Sequence, residues 1–358
     1  NVLSKNFEFN FSTKDLNKFK KFKKIAIIGM GGSILGANSI YELFQSKIKK
    51  DFFFFDDIDP KKNFFFKKNE KLKKILFIII SKSGTTTETL SNFLSLKILK
   101  KKAKNIIIIS EKKESPLQII ARKYNLFFVE HKKNIGGRYS ILSEVGMIPA
   151  YLMGLNIFRL RSDILNFLNN KKKIFLKDSV VKLANLLEQR KIKNIIFLNY
   201  APELEKFLLW CQQLIAESLG KKEKGFLPMI SSVPKDHHSL LQLYLDGPKD
   251  KLFHIFSINS KTNEQVVTNK ILKNKYFLNK KKLNVIKEAQ KNALIQSLKK
   301  KEIPFREFEI KNISETTLGE LFSYFMLETI IIGELTKINP YNQPAVEQVK
   351  ILTKKNLT

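Results

Sequence analysis

Cysteine is almost absent from this chain, because Cys211 is the only one among 358 residues. A single cysteine excludes an internal disulfide and is typical of a protein kept in a reducing cytoplasm. The chain also lacks a run of about 18 consecutive apolar residues, which a transmembrane helix requires. We therefore expect a cytoplasmic protein that has no membrane partner.

Arginine is scarce, with 6 residues against 59 lysines, although the formal net charge is +32. Base readout and bidentate phosphate recognition favour arginine over lysine. The lysines are also spread along the chain instead of being gathered on one element. We therefore attribute the basic excess to AT-rich codon usage and expect no nucleic-acid partner. Polyanion contact and electrostatic steering of an anionic substrate stay open as alternatives.

Histidine is rare as well, and two of the four histidines are the neighbours His237 and His238. Adjacent histidines can bind a metal, but the sequence has no second pair at a suitable spacing and no cysteine cluster. The sequence therefore predicts no metal site. A role in acid–base chemistry or hydrogen bonding suits these histidines better.

Short apolar runs alternate with amphipathic stretches along most of the chain. The runs predict buried strands, because both faces of each are apolar. The stretches 37–45, 87–99, 140–155 and 316–335 predict helices between or after them. This alternation predicts an α/β fold with two doubly wound parallel sheets. The predicted strands are Ile25–Gly29, Phe52–Phe55, Ile75–Ile80, Asn105–Ser110, Leu126–Val129, Asn194–Asn199, Leu227–Ser231, Leu252–Ile258 and Phe305–Ile310.

The rhythm of strands and helices restarts in the second half of the chain. We therefore expect one α/β domain over residues 1–155 and a second over 156–337. Residues 338–358 follow with two prolines, Pro340 and Pro344, and are expected to form a separate C-terminal element.

A glycine-rich turn, Gly-Met-Gly-Gly-Ser-Ile-Leu-Gly, follows the first predicted strand at residues 29–36. Glycines let backbone N–H groups approach a ligand, and a helix N-terminus favours an anion. The spacing overlaps that of a dinucleotide-binding motif, which needs an acidic residue about 20 residues further on. Asp56, Asp57 and Asp59 lie near that distance. At this point a dinucleotide site and a plain tight turn both stay open.

Six hydroxyl side chains follow the predicted strand Ile75–Ile80 within the segment Ser81–Thr89. Hydroxyls and free N–H groups at the start of a helix form a phosphate-binding cradle. One or two serines or threonines could simply cap the helix, but six beside Gly84 and Lys82 exceed that need. The spacing also differs from that of a nucleoside triphosphate loop. The segment therefore predicts a site for a monophosphate.

Three further segments place charged or amide groups beside glycines or on one helix face. Arg138 follows two glycines and could stabilise a developing oxyanion, or could be a surface arginine. Gln213 and Glu217 are four residues apart and share a helix face. Glu217 has apolar neighbours, which would suit a general base, although an exposed ion pair with a lysine is the simpler alternative. The prolines of the tail could hold one lysine rigidly, but the residues alone do not single out Lys350.

Together, and in this order, these segments resemble the glucose-6-phosphate isomerase family. The glycine turn and the cradle are similar to the wider sugar-isomerase (SIS) class, whose domains are flavodoxin-like α-β-α sandwiches. Glu-Ser-x-Gly-Lys at 217–221 and Gln-Pro-x-Val-Glu with Lys at 343–350 resemble the isomerase itself. The resemblance extends from about Ile25 to Lys350.

The resemblance implies a role for each matching residue. Glu217 would be the base that moves a proton between C2 and C1 of the open sugar, and Arg138 would steady the enediolate. His238 would act in ring opening from the partner subunit of a homodimer, with help from Lys350. His237 stands where the family usually has glutamine. The implied substrate ligands are Gly32, Ser33, Ser81, Ser83, Thr86, Thr89 and Gln213. Lys82 joins them as part of the predicted monophosphate site.

The implied reaction is the interconversion of glucose 6-phosphate and fructose 6-phosphate, in glycolysis and gluconeogenesis, without metal or other cofactor. Two alternatives stay open. One is a dual phosphoglucose and phosphomannose isomerase on the same scaffold. The other is a non-catalytic protein that binds sugar phosphates.

Overall fold

The computed structural model describes residues 2–169, 171–259, 263–267 and 276–358. All nine predicted strands are present, with ends that differ from the predictions by one residue at most. Their bounds are β1 Lys24–Gly29, β2 Asp51–Phe55, β3 Ile75–Ile80, β4 Ile106–Ser110, β5 Phe127–Glu130, β6 Asn194–Asn199, β7 Leu227–Ser232, β8 Lys251–Ile258 and β9 Phe305–Ile310.

Helices flank the strands and fill most of the connections between them. Several begin at the side-chain caps that serine, aspartate and asparagine provide. Their bounds are α1 Thr13–Leu16, α2 Leu35–Phe44, α3 Pro60–Asn69, α4 Thr87–Ser95, α5 Pro116–Tyr124, α6 Glu144–Met153, α7 Ile157–Ser162, α8 Lys172–Gln189, α9 Glu205–Leu219, α10 Leu241–Asp246, α11 Leu283–Lys300, α12 Glu315–Leu335 and α13 Ala345–Leu357.

The strands form two parallel sheets, which confirms the predicted fold class. The first sheet has the order β2-β1-β3-β4-β5, and the second has the order β7-β6-β8-β9. Both orders reverse direction beside the first strand of the sheet, as in doubly wound folds. Strand β3 is buried over its full length, because helices cover both faces of the first sheet.

One apolar core extends through both halves of the chain. Its buried members include Ile40 of α2, Met147 of α6, Leu214 of α9 and Phe322 of α12. Helix α2 packs against α9, and α12 packs against α7, α8 and α9. This packing places the second-half helix α9 against the first-half elements. The domain bounds at 155 and 337 stay a prediction.

Two predicted helices are shorter in the structure than in the sequence pattern. The stretch 140–155 becomes helical only at Glu144, because Ser143 caps the helix and a 3-10 turn occupies Gly137–Tyr139. The stretch 87–99 leaves the helix after Ser95, because Lys97 adopts a left-handed backbone with φ of 54°. Apolar periodicity continues past both ends, so it could not locate either of them.

The C-terminal tail forms helix α13, none of whose residues is buried. Across the described ranges, no helix combines the length and the apolar character that crossing a membrane demands.

Candidate active site

Two loops of the first sheet meet at the point where its strand order reverses. The glycine turn leaves β1, the cradle leaves β3, and these two strands are neighbours in the sheet. Ligands of open α/β sheets bind outside the carboxyl ends of the strands at such a switch point. Both predicted ligand segments therefore lie where the fold favours a ligand.

The cradle is shaped by hydrogen bonds among its own residues. The hydroxyls of Ser81 and Thr86 lie 2.8 Å apart, and the Gly84 amide donates to Ser81 Oγ at 3.1 Å. Gly84 has a φ of +69°, and a Cβ there would come within 2.3 Å of Ser115 Oγ. Thr86 precedes α4 without capping it through its side chain. The first amides of α4 are thus left to bind an anion.

The remaining cradle residues differ in how accessible they are. The Thr85 hydroxyl donates to Ser83 Oγ at 2.9 Å on the exposed side of the loop. Lys82 Nζ lies 3.6 Å from Glu111 Oε1. Thr89 is fully buried, and within the described residues its hydroxyl has no hydrogen-bond partner. The assignment of Thr89 as a phosphate ligand stays a prediction.

The glycine turn packs closely against Gln213 and the loop that carries Arg138. Gly31 has a φ of +52°, and a Cβ there would lie 2.5 Å from Gln213 Nε2. A Cβ on Gly32 would lie 2.3 Å from the carbonyl of Gly137 and 2.5 Å from the amide of Arg138. At Gly32 the neighbours are backbone atoms, so only glycine permits this approach, and at Gly31 the positive φ favours glycine. The turn, the arginine loop and α9 are therefore one packed unit, with Ser33 at the end of the turn.

Arg138 is buried and uses its guanidinium to join several groups. Nε donates to Ser218 Oγ at 2.8 Å. Nη1 donates to Glu217 Oε2 at 3.1 Å and to Gln343 Oε1 at 2.7 Å. The arginine side chain is 2% exposed and the Glu217 side chain is 32% exposed. The carboxylate is therefore accessible to a ligand, whereas the guanidinium that binds it is buried and held by its other hydrogen bonds.

The same guanidinium also binds backbone carbonyls of the C-terminal tail. Its Nη2 donates to the Pro340 carbonyl at 2.5 Å and to the Asn342 carbonyl at 3.2 Å. The Tyr139 hydroxyl also donates to the Pro340 carbonyl, at 3.1 Å. The indole of Trp210 donates to the Arg138 carbonyl at 3.1 Å. Arg138 is thus held at both its backbone and its side chain.

Glu217 has a second partner on its own helix. Gln213 Nε2 donates to Glu217 Oε1 at 2.9 Å. The two residues share a helix face, as the four-residue spacing predicted. Lys221 donates from Nζ to the carbonyls of Ser218 and Asn339. Burial, and next the charge of Arg138, lower the pKa of Lys221 to about 8. Glu217 and Lys221 line a cavity of about 820 Å³ that continues to the start of α13.

His238 and Lys350 lie apart from this cluster. His238 is exposed at the end of a 3-10 turn, while His237 Nε2 lies 3.0 Å from the Tyr200 hydroxyl. Burial and the neighbouring His238 lower the pKa of His237. Lys350 is exposed on α13 and pairs with Glu347 at 2.6 Å. Across the described residues, no hydrogen bond joins either His238 or Lys350 to Glu217.

Sequence reasoning did not identify every residue of the cluster. Ser218, Tyr139 and Gln343 all bond to Arg138 or to its partners. Each lies within or beside a segment that the sequence analysis had selected. Its position in that segment was the one feature that could have indicated a role in the site. Trp210 carried no signal of its own.

Acidic and metal-binding side chains do not gather at this site. In the part of the chain that the structure describes, no three His, Cys, Asp or Glu residues form a potential metal site. The expectation that the reaction needs no metal stays a prediction.

Comparisons of the sequence with known proteins identify one family, and solved structures share the fold. The family described as phosphoglucose isomerase matches residues 11–358. A glucose-6-phosphate isomerase of Methanocaldococcus jannaschii is 32% identical over 94% of this chain and 86% of that protein. A hypothetical protein from Thermus thermophilus has a TM-score of 0.84 at 26% identity, with 97% and 88% of the two chains covered. A glucose-6-phosphate isomerase from Chlamydia trachomatis shares the fold, with a TM-score of 0.78 at 20% identity over 96% and 72%.

Proposed function

Because the chain belongs to the phosphoglucose isomerase family, we propose that its site interconverts glucose 6-phosphate and fructose 6-phosphate. The main structural support for this proposal is the contact between Glu217 and Arg138. Glu217, whose carboxylate is partly exposed, is held by the buried guanidinium of Arg138 in the same packed unit as the glycine turn. Binding a sugar phosphate requires only the cradle, whereas isomerising one requires such a pair.

The reaction moves a proton between two adjacent carbons. A base removes the proton from C2 of the open aldose, and negative charge develops on the neighbouring oxygen of an enediolate. The Glu217 carboxylate would take that proton and return it to C1. The Arg138 guanidinium, whose position five hydrogen bonds fix, would stabilise the oxyanion charge without having to rearrange.

The phosphate gives the substrate a handle remote from the reacting carbons. Ser81, Ser83 and Thr86, together with the amides that begin α4, would hold it. Lys82 and Thr89 complete the proposed set. Binding energy at this distant group orients C1 and C2 toward Glu217 and lowers the barrier. Gly32, Ser33 and Gln213 would line the sugar, because the glycine turn contacts Gln213 and the Arg138 loop, and Gln213 bonds to Glu217.

Ring opening would use residues outside the packed unit. His238 is exposed and has no bond to Glu217 within the described chain, which fits action in a neighbouring site. We therefore propose a homodimer in which His238 of the partner subunit reaches the substrate, and Lys350 assists from the tail. Gel filtration at assay concentration tests this part, because an active monomer would contradict it.

The physiological role follows from the same proposal. We place the enzyme in glycolysis and gluconeogenesis in the cytoplasm.

A coupled assay tests the proposal directly. Fructose 6-phosphate is supplied, and the glucose 6-phosphate formed is oxidised by its dehydrogenase. We expect turnover, and with mannose 6-phosphate far less product. Binding of fructose 6-phosphate without turnover in a folded sample would contradict the proposal. Comparable turnover of mannose 6-phosphate would instead favour the dual isomerase.

A further inference from the structure

Lys82 of the cradle is held by the end of the neighbouring strand. Strands β3 and β4 are parallel neighbours, so the residues that follow them lie side by side. The Glu111 amide donates to the Lys82 carbonyl at 3.0 Å, and Ser110 Oγ donates to the same carbonyl at 3.4 Å. The Glu111 carboxylate lies 3.6 Å from Lys82 Nζ. Glu111 thus contacts both the backbone and the ammonium of Lys82.

Glu111 also has a second and closer cation. Lys113 Nζ lies 2.8 Å from Glu111 Oε2, while Lys82 lies beyond hydrogen-bond distance of Oε1. The Glu111 side chain is 10% exposed, the Lys82 side chain 31% and the Lys113 side chain 52%. One largely buried carboxylate is therefore shared by two lysines, and the lysine of the cradle is the more loosely held.

We propose that Glu111 and Lys113 are positioning residues that set the affinity of the cradle for phosphate. When no phosphate is bound, the Glu111 carboxylate attracts the Lys82 ammonium and keeps it beside the cradle. When phosphate binds, the Lys82 ammonium turns toward it, and Lys113 keeps the Glu111 carboxylate paired. This inference rests on the proposed function only in taking residues 81–89 as the phosphate site.

The electrostatics favour a change of partner in which Lys82 leaves Glu111 for the phosphate. A phosphate and the Glu111 carboxylate are both anions, so they compete for Lys82 and repel each other. A largely buried carboxylate that loses its partner carries a desolvation cost, which Lys113 would offset. Removing the charge of Glu111 should therefore free Lys82 and tighten phosphate binding. Removing the charge of Lys113 should tie Glu111 more closely to Lys82 and weaken phosphate binding.

The test measures inorganic phosphate as a competitive inhibitor of fructose 6-phosphate turnover at low ionic strength. We expect Glu111→Gln to lower Ki by roughly two- to fivefold and Lys113→Gln to raise it by a similar factor, as for partly exposed ion pairs. KM should follow Ki, while kcat changes less. In the double variant, the effect of Lys113→Gln should disappear, because Lys113 acts through Glu111.

A matched control separates position from net charge. Lys112 is the exposed neighbour of Lys113, and Lys112→Gln removes the same charge. We expect Lys112→Gln to shift Ki clearly less than Lys113→Gln. Equal shifts, an unchanged or raised Ki in Glu111→Gln, or a Lys113→Gln effect that persists without Glu111 would each overturn the inference. A folded wild type that does not isomerise would overturn the proposed function instead, and calorimetric titration with inorganic phosphate would then test the same variants.

Discussion

Arg138 donates from Nη1 to Glu217 Oε2 at 3.1 Å, and the two residues come from different halves of the chain. Arg138 lies in the 3-10 turn before α6, and Glu217 lies near the end of α9. Their contact depends on the packing of α9 against α2. It also depends on the glycine turn, which contacts both α9 and the loop that carries Arg138. The site therefore forms only when the two halves are joined by their common core.

Replacing Arg138 by lysine should impair both activity and stability. Lysine keeps the charge, but its three protons radiate from one nitrogen and cannot serve acceptors arranged around a planar guanidinium. We expect kcat/KM to fall by about 10²- to 10³-fold, in the range for lost oxyanion donors. Steady-state kinetics and thermal unfolding measure the two effects. Arg159→Lys, at an exposed position, is the control and should change neither.

Replacing Gly32 by alanine should destabilise the fold. The added Cβ would lie 2.3 Å from the Gly137 carbonyl, which is backbone and cannot turn aside. We expect a loss of about 3 kcal/mol in the free energy of unfolding, as for an overpacked core. Urea unfolding measures it. Gly137→Ala, whose Cβ would have no neighbour within 4 Å, should change the value by no more than about 0.5 kcal/mol. Equal losses in both variants would contradict this account.

Stability should fall as the pH is lowered below about 6.5, in part because of His131. Burial, outweighing a hydrogen bond to the Lys132 backbone, lowers the pKa of His131 from 6.5 to about 4. The unfolded chain therefore takes up a proton first, and the stability present above pH 6.5 is lost as the pH falls toward 4. By linkage, this residue should account for about 2 kcal/mol of lost stability at pH 5.

Urea unfolding at pH 7 and pH 5 checks this, with His131→Asn as the variant. The variant should lose less stability than the wild type between the two values. His254 is fully buried and its pKa is also lowered, so part of the dependence should persist. An equal loss in the variant and the wild type would show that His131 does not contribute.

The fold was largely predictable because its strands are unusually uniform. Residues Ile75–Ile80 are apolar on both faces, which only a buried strand or a short buried helix explains, and the following turn decides for a strand. Helix ends were less predictable. The end of α4 depends on the left-handed backbone of Lys97, which no side-chain pattern marks.

The sequence indicated the separate segments of the candidate site but not the bonds that connect them. The density of hydroxyls after β3 predicted a phosphate site there without any family resemblance. The bonds from Arg138 to the carbonyls of Pro340 and Asn342 end on backbone atoms more than 200 residues away, which any residue could supply. Lys350 was singled out by resemblance alone, because one exposed lysine among 59 has no distinguishing pattern.

Glu217 is proposed to move a proton between C2 and C1, and isotope exchange measures that step itself. Glucose 6-phosphate is incubated with the enzyme in D₂O, and deuterium at C1 of the fructose 6-phosphate and at C2 of the glucose 6-phosphate is followed by NMR. The wild type should incorporate solvent deuterium while forming fructose 6-phosphate. Glu217→Gln should bind fructose 6-phosphate yet slow both processes by roughly 10²- to 10⁴-fold. Exchange and isomerisation at the wild-type rate in Glu217→Gln would show that Glu217 is not the base.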